Sequence, residues 1–235
     1  MHPWERLLSV RRESGPFLAA VHTTWALASR VYFAVWHRLR VIGREHLPTE
    51  PPFVICSNHS SHLDALVLAT ALRVDIRARV FALAAGDVFF ESAFATAFAA
   101  GFINALPVWR KKRTPKALQE LRTKLIGNPC AFILFPEGAR SRDGELLPFK
   151  SGVGMLVAGT SVPVVPCHIS GSFAAMPAGT RFPRPGRITI RVGPPVQFDK
   201  VPNVKLGWER VVRVVEDGVR KLKDDHDRAN RVHYE

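Results

Sequence analysis

Residues 53–64 read FVICSNHSSHLD, an apolar run followed by a polar turn, and residues 65–72 continue as ALVLATAL. Consecutive apolar residues are typical of a strand that is buried on both faces, so the first run predicts a strand of a parallel sheet. The second run has the composition of a helix. The polar turn between them would lie at the carboxyl end of the strand, which is where open α/β sheets bind their ligands.

The alternation of apolar runs and helical patterns continues along the chain. Further strands are predicted at residues 78–83, 105–109, 131–135, 162–169 and 187–192. Helices are predicted at residues 88–105, 115–126, 152–159 and 204–223. The last strand could be an edge strand, and Pro163 and Pro166 predict a strand entry and a bulge or distorted end in the strand at 162–169. Gly218 disfavours the last turn of the last helix. This order predicts an α/β fold with a mostly parallel or mixed central sheet flanked by helices.

The N-terminal part of the chain contains a separate apolar segment. Residues 17–36 read FLAAVHTTWALASRVYFAVW and lie between two groups of arginines. Arg30 within this segment would cost about 3 kcal/mol at the middle of a bilayer. The pattern therefore favours a helix that lies in the membrane interface over one that spans it, with an ordinary core helix as the alternative. We expect a membrane-associating helical region at residues 1–44 and a second domain at residues 45–235, or one continuous domain.

The chain is strongly basic, with 33 Lys and Arg against 20 Asp and Glu and a formal net charge of +13. This balance excludes an acidic solvating protein and leaves three polyanionic partners: nucleic acid, an anionic membrane surface or phosphorylated small molecules. Cys56, Cys130 and Cys167 each lie in an apolar run, which predicts small buried hydrophobic residues rather than a disulfide framework or a zinc site. Free cysteines fit a reducing, intracellular compartment.

The turn after the first strand carries a histidine and an aspartate. Asp64 follows His59 by five residues and could fold back onto the imidazole ring, fixing its tautomer and leaving the other nitrogen as a general base. Ser61 and Asp64 also fit a helix capping box, with His59 as an ordinary loop histidine. The residues alone leave both interpretations open. His62 is a weaker candidate, because two residues from Asp64 along a helix places it on another face.

A second polar segment, FPEGARSRDGELLPFKSG, begins where the 131–135 strand ends. Its Arg140, Arg142 and Lys150 side chains, around a glycine-containing loop, suit an anionic group such as phosphate. The alternative is a solvated, charge-rich loop.

A basic run, WRKKR, occupies residues 109–113. It could contact nucleic acid, but it has no aromatic platform and no known nucleic-acid-binding signature around it. A basic rim at a membrane surface explains it equally well. His168, in the run VPVVPCHISG, is expected to be structural.

Four segments, taken in order, resemble the motifs of the glycerolipid acyltransferase family, whose best-known members are the lysophosphatidate acyltransferases. They are NHSSHLD at 58–64, the 101–110 segment, FPEGARS at 135–141 and VPVVPC at 162–167. The resemblance covers residues 45–195. It implies that His59, oriented by Asp64, takes the proton of an acceptor hydroxyl, which attacks the thioester of acyl-CoA or acyl-carrier protein. No cofactor and no metal are implied beyond that co-substrate.

The resemblance also implies a set of substrate-binding residues. Arg110 and Arg140 would bind the phosphate of the acceptor, Glu137 would engage its glycerol hydroxyl region, and Gly138 would let the backbone approach the substrate. Further candidates for substrate binding are Asn58, Arg142 and Lys150.

Three features depart from the family pattern. Ala139 replaces the usual threonine, Cys167 ends the fourth motif instead of valine, and the FALAAGDVFF segment at residues 81–90 lacks the lysine that many lysophosphatidate enzymes carry. A phosphate ligand is therefore missing or is replaced by Arg142, Lys150 or Lys111.

The expected function is transfer of an acyl chain to the sn-2 hydroxyl of lysophosphatidate, giving phosphatidate, in phospholipid biosynthesis. One alternative keeps the chemistry and changes the acceptor to another lysophospholipid, glycerol 3-phosphate or a lipid-linked alcohol. The other is a non-catalytic protein that binds anionic lipid or nucleic acid. The expected location is the cytoplasmic face of a membrane, with peripheral or monotopic association, and nucleic acid is a minor candidate.

Overall fold

The computed structural model describes residues 16–85, 105–108, 115–177, 179–180 and 182–231. Within these residues seven strands form one sheet in the order β1-β7-β6-β2-β5-β3-β4. The strands are β1 (Arg40–Ile42), β2 (Phe53–Ser57), β3 (Val80–Ala85), β4 (Ala105–Val108), β5 (Ala131–Leu134), β6 (Val164–Ser170) and β7 (Thr189–Val192). The helices are α1 (Pro16–Trp36), α2 (Asp64–Ala71), α3 (Pro115–Gly127), α4 (Gly152–Val157), α5 (Ser172–Ala175) and α6 (Lys205–Arg231). The helix predicted at 88–105 lies outside the described residues, except for its last position.

Strand direction determines which loops meet at the site. Every neighbouring pair is parallel except β6 and β7, which are antiparallel. The mixed α/β fold expected from the sequence is therefore confirmed. Because β7 runs against β6, and β1 runs parallel to β7, the amino ends of β1 and β7 lie at the same edge of the sheet as the carboxyl ends of β2, β5 and β6. We call this the catalytic edge.

The two faces of the sheet pack against different helices, as the alternation of side chains along β2 shows. Phe53 and Ile55 belong to the core formed with α1 and α2, whereas Val54 and Cys56 belong to the core formed with α3, α4 and α6. All three cysteines are buried and free, as the sequence predicted. Burial raises the pKa of the Cys130 thiol to about 11, which keeps it protonated.

Two expectations about the C-terminal part of the chain are wrong, one about β7 and one about α6. The 187–192 strand is not an edge strand, because β1, a three-residue strand that the sequence analysis missed, pairs with β7 on its outer side. The helix does not end near Gly218, because α6 continues past it to Arg231. A Cβ atom at Gly218 would lie 3.2 Å from the Pro166 ring, so the glycine lets α6 approach β6 closely.

Pro166 itself lies within β6, in the interior of the sheet. Its carbonyl accepts a hydrogen bond from the Gly193 N–H, and β6 next meets the following segment at an isolated bridge between Val164 and Val196. The missing N–H of Pro166 thus falls where the chain after β7 leaves the regular ladder.

Arginine side chains from α1 and from the turn after β1 contact the end of α2. Arg30 donates from Nη2 to the Leu72 carbonyl at 2.6 Å and from Nε to the Thr70 carbonyl at 3.3 Å, while Arg44 donates to the Ala71 carbonyl at 3.1 Å. These carbonyls are at the C-terminus of α2, where hydrogen-bond donors and positive charge are favourable. Arg30 therefore has protein partners, and Phe33 one turn later is fully buried in the core. None of the described helices is long and apolar enough to cross a membrane.

Candidate active site

His59 and Asp64 meet in the turn between β2 and α2. The ring Nδ1 of His59 lies 3.0 Å from Oδ2 of Asp64, and since a carboxylate only accepts, Nδ1 carries the proton. The same oxygen accepts the backbone N–H groups of Ser60 and Ser61 at 2.8 Å each. Asp64 is fully buried, whereas the His59 side chain keeps 20% of its surface exposed. The carboxylate thus fixes the ring with Nε2 directed away from it.

The two interpretations that the sequence left open describe the same carboxylate. The hydrogen bond from the Ser61 N–H to Asp64 is one half of a capping box. The other half is displaced, because the Ser61 hydroxyl accepts the N–H of Leu63 at 3.2 Å rather than that of Asp64. Capping holds the turn in the conformation that brings His59 onto the carboxylate.

Glu137, from the loop after β5, contacts the backbone of this turn. Its Oε1 accepts the N–H of His59 at 2.9 Å, and the side chain is only 2% exposed. Burial raises the pKa of the Glu137 carboxyl to about 7, from an ordinary 4.5. Its Oε2 has no hydrogen-bond partner among the described residues. Glu137 therefore fixes the position of His59 and titrates near neutral pH.

Two further contacts link the β5 loop to His59. The His59 ring stacks on Phe135, with ring centroids 4.1 Å apart and an interplanar angle of 17°. The Ser141 N–H donates to the His59 carbonyl at 2.8 Å. Sequence reasoning did not assign a role to Phe135, although an aromatic residue directly at the end of a strand is a possible signal for such stacking. Gly138, between these contacts, has a φ of 72°, which favours glycine.

Arg140 contacts His62, so the two basic candidates of the first and third motifs lie together. Nη1 of Arg140 is directed at Nε2 of His62, which must be unprotonated to accept this hydrogen bond. Burial, and then the nearby positive charge of Arg140, lower the pKa of His62. His62 is thus apart from the His59–Asp64 pair, as predicted, but belongs to the neighbouring cationic part of the site. Arg142 and Lys150, farther along the loop, are exposed.

Asn58 has a different environment from the other candidates. Its amide donates to the Ile169 carbonyl at 2.9 Å and accepts the Ile169 N–H at 2.8 Å. Asn58 is 5% exposed, and its side chain makes the pair of hydrogen bonds to the β6 backbone that a neighbouring strand residue would make. Arg110 lies outside the described residues, and the binding of substrate by Asn58, Arg142 and Lys150 stays a prediction.

The segment after β6 supports the histidine turn from the other side. The Ser61 hydroxyl donates to the Met176 carbonyl at 2.9 Å, and the Ser60 and Ser172 hydroxyls lie 3.3 Å apart. The sequence did not reveal these contacts, because Ser172 and Met176 are more than a hundred residues from the turn and follow no motif.

The site therefore combines a buried carboxylate paired with a histidine and the adjoining loop with Glu137 and Arg140. This part of the chain is similar to a known family. The family described as acyltransferase matches residues 38–170. The chain belongs to the acyltransferase family. That match contains all four motifs and the whole of β6.

Individual relatives agree with this assignment. The 1-acyl-sn-glycerol-3-phosphate acyltransferase alpha of Mus musculus is 33% identical over 168 residues, covering 69% of this chain and 56% of that protein. A 1-acyl-sn-glycerol-3-phosphate acyltransferase of Brassica napus, BAT2, chloroplastic, is 29% identical over 187 residues, covering 76% of this chain and 49% of that protein. The acyltransferase chain thus spans about half the length of the curated relatives it matches.

Among solved structures, the 1-acyl-sn-glycerophosphate (LPA) acyltransferase PlsC of Thermotoga maritima is similar in fold. The TM-score is 0.65 at 24% identity, over 88% of this chain and 78% of that one. The similarity supports the α/β architecture of this acyltransferase and extends it beyond the 38–170 match.

Proposed function

We propose that this acyltransferase moves an acyl chain from a thioester donor to the sn-2 hydroxyl of lysophosphatidate, forming phosphatidate. The observation that carries the proposal is the buried Asp64 carboxylate on Nδ1 of His59, next to the loop with Glu137 and Arg140. The relatives named as 1-acyl-sn-glycerol-3-phosphate acyltransferases support the choice of acceptor. The donor is acyl-CoA or acyl-carrier protein, and the reaction needs no metal or further cofactor.

In the proposed mechanism His59 is the general base. Its Nε2, which has no hydrogen bond to a described residue, takes the proton of the acceptor hydroxyl as the oxygen attacks the thioester carbonyl. Asp64 stabilises the imidazolium that forms. The new C–O bond gives a tetrahedral oxyanion, held by hydrogen-bond donors. Its collapse breaks the C–S bond, and the proton on His59 passes to the departing sulfur. No acyl-enzyme forms, so no nucleophilic side chain is required.

Recognition of the acceptor is assigned to the cationic part of the site. Arg140 and Arg110 bind the phosphate, because a guanidinium can donate two parallel hydrogen bonds to phosphate oxygens. Glu137, through Oε2, contacts the glycerol hydroxyl region, and Gly138 allows close approach of the backbone. Because the lysine of many relatives is absent and Ala139 replaces a threonine, another lysophospholipid or glycerol 3-phosphate is the alternative acceptor.

We also propose that α1 binds the membrane that contains the acceptor. Leu27, Val31 and Val35 recur every four residues and are 52%, 63% and 72% exposed, so they form an apolar stripe along one side of the helix. Ala26 and Phe33, on the opposite side, are buried. A helix held by protein on one side and apolar on the other suits peripheral association at the bilayer interface. We place this association at the cytoplasmic face.

A panel of acceptors and donors tests the proposal. Purified protein is incubated with acyl-CoA or acyl-carrier protein and with lysophosphatidate, other lysophospholipids or glycerol 3-phosphate, and the product lipids are identified by mass spectrometry. We expect phosphatidate with the acyl chain at sn-2. A preference for an acceptor without phosphate would contradict the roles of Arg110 and Arg140, and the absence of any acyl transfer would refute the proposal.

A further inference from the structure

The segment at residues 182–187, between α5 and β7, exposes an aromatic residue among arginines. Phe182 is 82% exposed, more than any other large hydrophobic residue in the described part of the chain. Arg184 and Arg187 are also exposed and form no ion pair with a described residue. Phe182 and the two arginines that follow it present an exposed apolar side chain together with positive charge, a combination that suits a partner that is both apolar and anionic.

This segment adjoins the C-terminal end of α1. The Gly186 N–H donates to the Trp36 carbonyl at 3.4 Å, and the Ile188 N–H donates to the His37 carbonyl at 2.9 Å. Trp36 is 47% exposed and is the last residue of α1, directly after the exposed Val35. Phe182 is four residues from Gly186, so the chain keeps it within about 14 Å of this junction. The two apolar surfaces are therefore neighbours.

The two chain stretches that meet at this junction carry charge of one sign. Residues 16–44 and residues 146–198 contain no aspartate or glutamate. Exposed arginines on these two stretches near the junction are Arg38, Arg40, Arg184 and Arg187. Arginines near an anionic lipid surface each contribute about 1 kcal/mol, and tryptophan and other aromatic side chains favour the headgroup level.

The position of the segment in the fold relates it to catalysis. The connection from the carboxyl end of β6 to the amino end of β7 begins and ends at the catalytic edge, where His59 also lies. The same connection holds the histidine turn through Ser61 and Met176. A bilayer that contacts Phe182 would therefore face the edge where the acceptor must enter.

We propose that residues 182–187 form a second lipid-contacting element beside α1, which binds anionic phospholipid headgroups and sets the catalytic edge against the bilayer. Phe182 enters the interface while Arg184 and Arg187 bind phosphate oxygens. The proposal adds an element to the membrane association proposed for α1, and its lipid acceptor rests on the proposed function. Its test does not depend on turnover.

The test measures binding of the full chain to vesicles by co-sedimentation, with phosphatidylcholine alone or mixed with phosphatidylglycerol. For the double variant Arg184→Gln/Arg187→Gln we expect binding to mixed vesicles to weaken by roughly 30-fold, from about 1 kcal/mol for each arginine. For Phe182→Ser we expect a loss of about tenfold on both vesicle types, since burial of an aromatic side chain is apolar in origin.

The opposite face of the sheet supplies matched controls. Leu206→Ser removes another exposed apolar residue, at the start of α6, and Arg210→Gln/Arg213→Gln removes two exposed arginines from the same helix. We expect both controls to bind vesicles as the wild type does. Circular dichroism and thermal unfolding show whether each variant is folded, and Phe182→Trp, which retains the aromatic anchor, should bind as the wild type does.

Several results would overturn the proposal. One is that folded Phe182→Ser and Arg184→Gln/Arg187→Gln bind vesicles as well as the wild type does. Another is that the control variants lose as much binding as these two. A third is that an oligonucleotide binds the protein more tightly and displaces it from vesicles. A wild-type protein that binds vesicles through this segment but transfers no acyl chain would instead refute the proposed function and leave the surface intact.

Discussion

Replacing Asp64 by asparagine separates the charge of the carboxylate from its role in holding the turn. Oδ2 of Asp64 accepts three N–H groups, from the His59 ring and from the backbones of Ser60 and Ser61. The amide oxygen of Asp64→Asn can still accept the backbone N–H groups of Ser60 and Ser61, so the turn is retained, but its NH₂ group can donate to Nδ1, so the catalytic tautomer of His59 is no longer fixed. The variant loses the negative charge that stabilises the imidazolium when His59 takes the proton.

The expected magnitude follows from this loss. A positioned general base contributes about 10²- to 10⁴-fold to the rate, and we expect kcat to fall within that range. The KM for the acceptor should change little, because binding of the phosphate is assigned to Arg140 and Arg110 and not to Asp64. Three charge-assisted hydrogen bonds become neutral, so we expect the free energy of unfolding to fall by no more than about 3 kcal/mol.

The assay measures thiol release from acyl-CoA with a thiol-reactive dye, at saturating lysophosphatidate. The buried cysteines of the protein add little signal while it is folded. Asp75→Asn is the matched control, because the Asp75 side chain is 52% exposed and pairs with Arg73 at the protein surface. If folded Asp64→Asn keeps more than about a third of the wild-type kcat, the assignment of Asp64 as the group that supports the base is wrong.

Three further variants test other parts of the structure. The raised pKa of Glu137 makes ionisation of its carboxyl unfavourable in the folded state, so the wild type loses stability as the pH rises from 4.5 to about 7. Over that range Glu137→Gln should become more stable than the wild type by at most roughly 3 kcal/mol, measured by urea denaturation. A stability difference that does not change with pH would contradict a buried Glu137 carboxyl. His62→Phe removes the hydrogen-bond acceptor for Arg140 and should raise the KM for lysophosphatidate about threefold to tenfold with kcat retained. His62→Gln, which can accept the same hydrogen bond, should restore the wild-type KM. A fall in kcat as large as the rise in KM would contradict a role of His62 in positioning Arg140. Gly154→Ala would place a Cβ 2.5 Å from the α6 backbone and should lower the free energy of unfolding by about 1–3 kcal/mol. Gly152→Ala is the control, because a Cβ there would have nothing within 4 Å. Equal effects of the two variants would mean that α4 and α6 are not in close contact.

Local signals were sufficient for the segment that carries the chemistry. FVIC is continuously apolar because β2 lies in the interior of the sheet, with both its faces covered by helices. The turn after it is short, so Asp64 and His59, five residues apart, are held close together. The family resemblance then favoured the catalytic interpretation over simple capping, while the structure shows that the same carboxylate oxygen contacts the His59 ring and accepts the Ser61 N–H.

Other features depend on contacts between distant residues, which the sequence pattern does not record. The direction of β7 depends on the path of residues 171–188 rather than on its own residues. Gly218 weakens a helix by propensity, but only the position of Pro166 shows why a side chain would not fit. Arg30 opposes membrane burial in an isolated helix, yet the carbonyls at the end of α2 satisfy it.

The central claim is that His59 is the general base of acyl transfer to lysophosphatidate. The most direct test is His59→Ala in the same assay, with thiol release and phosphatidate formation followed together. We predict that the wild type forms one phosphatidate for each thiol released, and that the folded variant forms neither above the rate without enzyme. Undiminished turnover in folded His59→Ala would contradict the account.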